Sequence, residues 1–279
     1  MRFANTLGLP ERTVKPRRTG VTMVIDSGLP AGQLEDVLGS TGDLIDLVKF
    51  GWGTAVVTRD LPRKIAALRD AQVGFFFGGT LFELFAQEDR VDEYARLCRE
   101  HGCRLMEISN GTIHMSNPEK AEHVRRLSRE FTIISEVGFK DTKRSQELPP
   151  ARWIECVEED LEAGASLVVL EARESGRSGI CRPDGELRYG LIEELIGSGV
   201  DSDRLLFEAP TKALQTYFVQ RLGPNVNLGN VAGGDVIALE TLRLGLRSDT
   251  MPVAPRRALR IASDPGDAPR LRRAAGGEG

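Results

Sequence analysis

Several ionisable side chains in this chain sit where chemistry is commonly done. Glu107 lies in "LMEIS", Glu136 in "ISEVG", Glu171 in "VLEAR" and Glu208 in "LLFEA". Asp26 closes "VTMVID", Lys49 lies in "LVKFGW", and Lys140 follows Glu136 by four residues in "ISEVGFKD". Most are flanked by apolar residues, and a buried charge has to be paired or neutralised. Internal salt bridges would account for some of them, and a solvated turn would account for any one alone. As a set they describe a polar centre rich in carboxylate oxygen. Hard oxygen ligands suit Mg2+ rather than zinc. Lys49, Lys140 and Arg173 suit an anionic substrate.

These residues need elements to hold them. Eight short β-branched or aromatic runs alternate with amphipathic segments: 21–26, 44–50, 73–79, 103–109, 131–137, 166–172, 204–209 and 225–230. The segment "PAGQLEDVLGS" reads as a helix entered at Pro30. "NPEKAEHVRRLSREF" reads as one capped by Asn117, and the stretch from Trp153 to Ala163 as one closed by Gly164. Strand–helix alternation implies parallel strands with right-handed crossovers. Eight units in about 230 residues predict a single (β/α)8 TIM barrel, α/β in class, in which the charged strand ends converge on one face. An open doubly wound sheet is the alternative, but "VIDSGLPAG" is a poor dinucleotide-binding loop. The barrel is expected over 21–250, between a loose N-terminal extension (1–20) and a tail (251–279) rich in Arg, Pro, Ala and Gly that reads as disordered. The last strand region offers Asn227, Gly229, Asn230, Gly233 and Gly234 ahead of a helix, a place where barrels hold phosphate on backbone N–H groups. Asp235 also reads as a plain N-cap.

The 279 residues carry a net charge of -4, which argues against a general nucleic-acid binder. No apolar run suits a membrane span, and the first twenty residues lack a signal-peptide core. Four cysteines without metal or disulfide spacing suggest a reducing cytoplasm, and three histidines (His101, His114, His123) are too few for a zinc site or a His-based triad.

A set of blocks in order, "KFGWGTA" (49–55), "GGTLFE" (78–83), "EISNGT" (107–112), "EVGFK" (136–140), "EARESG" (171–176), "FEAPTKALQ" (207–215), "VNLGNV" (226–231) and "LETLRLGLRSDT" (239–250), resembles the phosphosulfolactate synthase family. The resemblance implies a (β/α)8 barrel, homo-oligomers, and Mg2+-dependent addition of sulfite to C3 of phosphoenolpyruvate to give 2-phospho-3-sulfolactate. It implies that Lys140 protonates C2. It makes Asp26, Glu107, Glu136, Glu171 and Glu208 the pool of metal ligands. Lys49, Arg173 and the Asn227–Gly234 region then serve the substrate's carboxylate and phosphate.

The chain departs from the family pattern where Ser27 and Phe139 replace lysines, Asn110 an aspartate, and Thr211 and Leu214 glutamines. If these positions rim the mouth, two cations and one anion are missing there. The same Mg2+–enolate chemistry with another nucleophile or acceptor is therefore the alternative. Two further readings are a non-catalytic, stress-related interaction protein of the same family and a Schiff-base lysine in an aldolase-like barrel.

Overall fold

The computed structural model describes residues 7–173 and 175–251. The expected tail therefore lies, from residue 252 onward, outside the described residues. Eight parallel strands make one sheet: β1 (Thr22–Asp26), β2 (Leu47–Phe50), β3 (Gly74–Phe77), β4 (Leu105–Ile108), β5 (Thr132–Val137), β6 (Leu167–Leu170), β7 (Leu205–Glu208) and β8 (Leu228–Ala232). They run in the order β3-β2-β1-β8-β7-β6-β5-β4. Helices follow the strands and cover the outside, so the fold is the expected barrel. β8 begins three residues later than its sequence run and ends at Ala232. Asn227 lies ahead of it, with its side chain accepting from the Val21 N–H and donating to the Asp203 and Leu205 carbonyls.

β3 and β4 are the two ends of the hydrogen-bonded order, so the ladder is open between them. Side chains bridge that seam. Glu107 on β4 accepts a hydrogen bond from the Gly79 N–H just after β3. Glu83 accepts from the Ser109 hydroxyl (2.5 Å) and from the Gly111 and Thr112 N–H groups (3.1 and 2.8 Å). Buried backbone donors must find partners; here two glutamates supply what a ladder would have.

Strand alternation sorts the barrel interior into levels. The lower interior is apolar: Val21, Met23, Phe76, Ile134, Val169 and Leu206, backed by Leu47, Leu105 and Leu167. The opposite parity, including Val24, Val48, Phe75, Met106, Ile133, Val168 and Leu205, packs against the helices. The apolar filling stops one level below the C-terminal ends of the strands, and charge takes over there.

The local chemistry of the helix ends differs in one place from the sequence reading. The helix Asn117–Leu127 is capped by Ser116, in a reciprocal pair with Glu119, and Asn117 is its first residue. The Asn117 side chain instead reaches Glu159 at 2.6 Å. Pro30 and Gly164 mark helix ends as expected, Gly164 at φ 112°. Residues 8–20 form neither helix nor strand, yet they are tied to the barrel's lower end. Arg12 pairs with Glu240 at 2.9 Å and donates to the Pro224 carbonyl, and Arg17 pairs with Asp46 at 3.2 Å.

Candidate active site at the barrel mouth

Lys49, at the upper end of β2, is the hub. Its ammonium lies 2.9 Å from Glu107 of β4, 3.1 Å from Glu136 of β5 and 3.5 Å from Glu208 of β7. All four side chains are buried. Lys140, just beyond β5, stands 3.8 Å from Glu136 and donates to the Thr80 hydroxyl at 2.8 Å. Glu171, following β6, lies within hydrogen-bonding reach of Glu136. The backbone is shaped to allow this crowding. At Gly138, φ 134°, a Cβ would stand 2.5 Å from the Cβ of Glu171 and 2.9 Å from the Trp153 ring, so only glycine brings β5 and β6 this close.

Four carboxylates face three cations (Lys49, Lys140 and Arg173), and protons distribute unequally among them. Burial pushes Glu107 up to about 7, against the pull of Lys49. Burial, together with Glu136 and Glu208, holds Glu171 well above the usual carboxylate range. Burial raises Glu208 as well. Glu136 goes the other way: burial opposes ionisation, but Lys49 and Lys140 beside it hold it below the usual range. Neighbouring carboxylates with pKa values driven apart are a recurring mark of acid–base sites. Lys140 is pulled in two directions: burial lowers its pKa, but Glu136, Glu171 and Glu83 together raise it above the ordinary lysine value. Carboxylates rather than cations surround it, so it is held charged with its proton in place.

Of the residues singled out in the sequence, Lys49, Glu136, Lys140, Glu171, Arg173, Glu208 and Asn230 line one cavity of about 60 Å3, and Glu107 joins them through Lys49. Asp26 does not. It stands on the outward parity of β1, pairs with Lys64, and accepts from the Gly28 and Leu29 N–H groups at 2.9 and 2.8 Å. Asn227 braces the opposite end of the barrel. Gly229 is packed in the interior, where a Cβ would stand 2.5 Å from the Met23 methyl. Gly233 and Gly234 form a turn after β8 and do not line the cavity. Trp52, Thr80 and Gly79 line it without having been assigned a role. Their signal was positional, since each follows a strand directly. The departures from the family pattern also lie elsewhere: none of Ser27, Asn110, Phe139, Thr211 or Leu214 lines the cavity. Phe139 stacks under the Arg144 guanidinium at 4.1 Å, and Asn110 donates to the Met115 carbonyl.

The donor set suits a hard cation that needs few protein ligands. Among the described residues no three Asp, Glu, His or Cys side chains form a ready metal cage. Glu107 and Glu208 are occupied, each by Lys49 and by backbone N–H groups: Gly79 for one, Ala172 and Arg173 for the other. Buried oxygens without a hydrogen-bond partner at the mouth are Glu107 Oε1, which faces the Lys49 ammonium at 2.9 Å, Glu136 Oε1, which faces Lys140 at 3.8 Å, Glu171 Oε2 and Asn230 Oδ1. Two carboxylates with an amide oxygen fit Mg2+, which keeps several waters and takes further ligands from its substrate.

The barrel and its mouth define the class of protein: a (β/α)8 barrel with a buried, carboxylate-rich centre at the C-terminal ends of its strands. Among solved structures, 3-hexulose-6-phosphate synthase superposes with a TM-score of 0.52 at 13% identity, over 80% of this chain and 97% of that one, a likeness of fold. Residues 10–249 match the family described as (2R)-phospho-3-sulfolactate synthase (ComA). The chain is 50% identical over 245 residues to the phosphosulfolactate synthase of Bacillus subtilis, covering 88% of this chain and 97% of the relative. It is 41% identical over 246 residues to that of Methanothermobacter thermautotrophicus, covering 87% and 95%. The chain belongs to the phosphosulfolactate synthase family.

Proposed function

We propose that the chain is a Mg2+-dependent enzyme that adds sulfite to C3 of phosphoenolpyruvate, giving 2-phospho-3-sulfolactate. The observation that carries this is the mouth itself: a buried ring of glutamates around Lys49, with spare oxygens on Glu136, Glu171 and Asn230 and a charged lysine, Lys140, at its edge. The names of the relatives give the product, phosphosulfolactate; sulfite, phosphoenolpyruvate and Mg2+ are what the family resemblance implies.

The sulfur lone pair forms the C–S bond at C3. The C2–C3 π pair moves toward C2 and the carboxylate, and the phosphate ester stays intact. The Lys140 ammonium gives one proton to C2, becomes a neutral amine and regains a proton from solvent. Its raised pKa keeps it charged before the step. Glu136, Glu171 and Asn230 would hold Mg2+, which when bound supplies positive charge to the substrate carboxylate as electrons gather there. Lys49 keeps Glu107, Glu136 and Glu208 gathered. Arg173 presents a guanidinium to the substrate's anionic groups from the same cavity. The four cysteines are buried and unpaired, which supports work in a reducing compartment.

31P NMR of the purified protein with phosphoenolpyruvate, sulfite and Mg2+ tests this. A new phosphate-ester resonance that EDTA abolishes is expected. A phosphoenolpyruvate signal that persists unchanged overturns the proposal.

A further inference from the structure

The mouth cavity is narrow, about 60 Å3, and open at its rim, so the residues of that rim are the first to meet an entering ligand. Five non-glycine residues among those described have left-handed backbones, and three of them, Trp52 (φ 52°), Arg173 (φ 60°) and Asn230 (φ 53°), line this one cavity. Strain of this kind collects at ligand clamps, where the surrounding structure holds it in place.

Trp52 is the member whose strain has the least local reason. A bulky aromatic is a poor occupant of the left-handed region, and glycines flank it on both sides in "GWG" (51–53). The turn is held tightly. A Cβ on Gly78 would meet the Trp52 nitrogen at 3.2 Å and the Phe50 carbonyl at 3.0 Å. The strain delivers a large apolar side chain to the edge of a highly charged cavity while leaving it 40% exposed. No hydrogen bond or ring contact engages the Trp52 indole within the described protein. An amphipathic ring with an unused N–H donor, held on a strained turn, is suited to cover an anion and donate to one of its oxygens.

We infer that Trp52 is a substrate-binding residue. Its indole closes over the phosphorylated acid at the barrel mouth, excludes water from it and donates its N–H to an anionic oxygen. This rests on the reaction proposed above. The left-handed turn holds the indole at the rim before the ligand arrives, and the exposed ring area is the surface that binding buries.

The chain has two tryptophans, and the other, Trp153, is fully buried. Fluorescence therefore reports on Trp52, with Trp153→Phe isolating its signal. The protein is titrated with phosphoenolpyruvate and Mg2+, without sulfite so that nothing turns over, while calorimetry follows binding in parallel. The expected result is heat of binding together with a blue shift of the Trp52 emission. Trp52→Asn, whose side chain tolerates the left-handed backbone, should bind phosphoenolpyruvate about tenfold more weakly, ~1.4 kcal/mol, with an unchanged or higher melting temperature. A merely structural tryptophan would lower the melting temperature and leave the affinity alone. Heat of binding without any change in Trp52 emission overturns the inference and leaves the proposed reaction standing. Absence of both heat and emission change overturns the two together.

Discussion

This barrel buries charge in two ways, and the contrast sets the candidate site apart from the rest of the fold. Outside the sheet, Lys120 and Asp160 form a pair at 2.7 Å between the helices Asn117–Leu127 and Pro150–Ala163, both fully buried. Lys120 also donates to the Glu136 carbonyl at 2.9 Å, and Ser135 donates to Asp160 at 2.5 Å. Lys64 and Asp26 form a second such pair behind β1. These sites are balanced one to one, and their remaining contacts go to neighbouring backbone or side chains. Inside the mouth, four carboxylates crowd around two lysines and an arginine, and Glu171 and Glu107 are driven up while Glu136 is driven down. A balanced pair braces a strand. A cluster in which several carboxylates share few cations and drive one another's pKa values apart is the recurring mark of a place where ligands and protons arrive.

The contrast breaks first at Lys140. Lys140→Ala should lower turnover by about 10²–10⁴, the range for a lost general acid, while the melting temperature changes little. Turnover within a few-fold of the parent would remove Lys140 from the chemistry. Lys120→Met should do the reverse. It strands Asp160, a loss of about 3–5 kcal/mol in stability by denaturant unfolding, with kcat per folded molecule retained. Lys120→Met with Asp160→Leu, which removes both charges, should recover most of that loss. If the double variant is as unstable as the single one, the pair is not the simple brace described.

The legibility of the sequence divides along the same line. The mouth was legible because a charge inside a four-residue apolar strand has no solvated face to explain it, as in "LVKF" and "LMEI". The braces were not, because Lys64, Lys120 and Asp160 sit on helices dense in charge, where any one reads as solvated surface. A signal existed all the same. Each occupies a slot in its helix's buried stripe: Leu61, Lys64, Ile65 and Leu68; Asn117, Lys120, Ala121 and Val124; Trp153, Cys156, Val157 and Asp160. Asp26 was misplaced for a different reason. A barrel strand is apolar on both faces, so "TMVID" does not reveal that Asp26 shares its parity with the outward Val24. The cavity's left-handed residues, Trp52 and Arg173 after strands and Asn230 within β8, left no trace beyond their position, because backbone strain has no composition.

The titration behaviour of the mouth sharpens the comparison further. With its folded pKa raised from 4.5 to about 7, Glu107 is protonated in both states below pH 4.5. Between there and pH 7 the unfolded chain ionises first, so its stabilising contribution is lost as pH rises, by at most about 3 kcal/mol. Glu107→Gln should flatten that part of the stability curve between pH 4.5 and 8; parallel curves for parent and variant would argue that Glu107 is already ionised. Glu171→Gln acts on the cation. Mg2+ at a hundred times its Kd should stabilise the parent by about 2.7 kcal/mol, and the variant should lose most of that rise in melting temperature. Equal shifts in both would place the ion elsewhere.

The smallest effect is expected at Phe139, and it separates mouth from wall most finely. Phe139 stands only one residue before Lys140, at a position where the family carries a lysine, so by sequence it belongs to the anion site and a Phe139→Lys change should improve sulfite use. By structure it faces a different cavity, shared with Arg144 and Asn117, and its ring carries the Arg144 guanidinium. A lysine there would lose a cation–π contact of about 0.5–1 kcal/mol and place its charge beside Arg144 rather than beside the ring of glutamates. Turnover with sulfite should therefore stay within about twofold of the parent, since a charge outside the mouth changes no contact made in the transition state. A clear gain in kcat/KM for sulfite would mean that the boundary between wall and mouth shifts when ligands bind, and that β5 delivers two cations to the reaction instead of one.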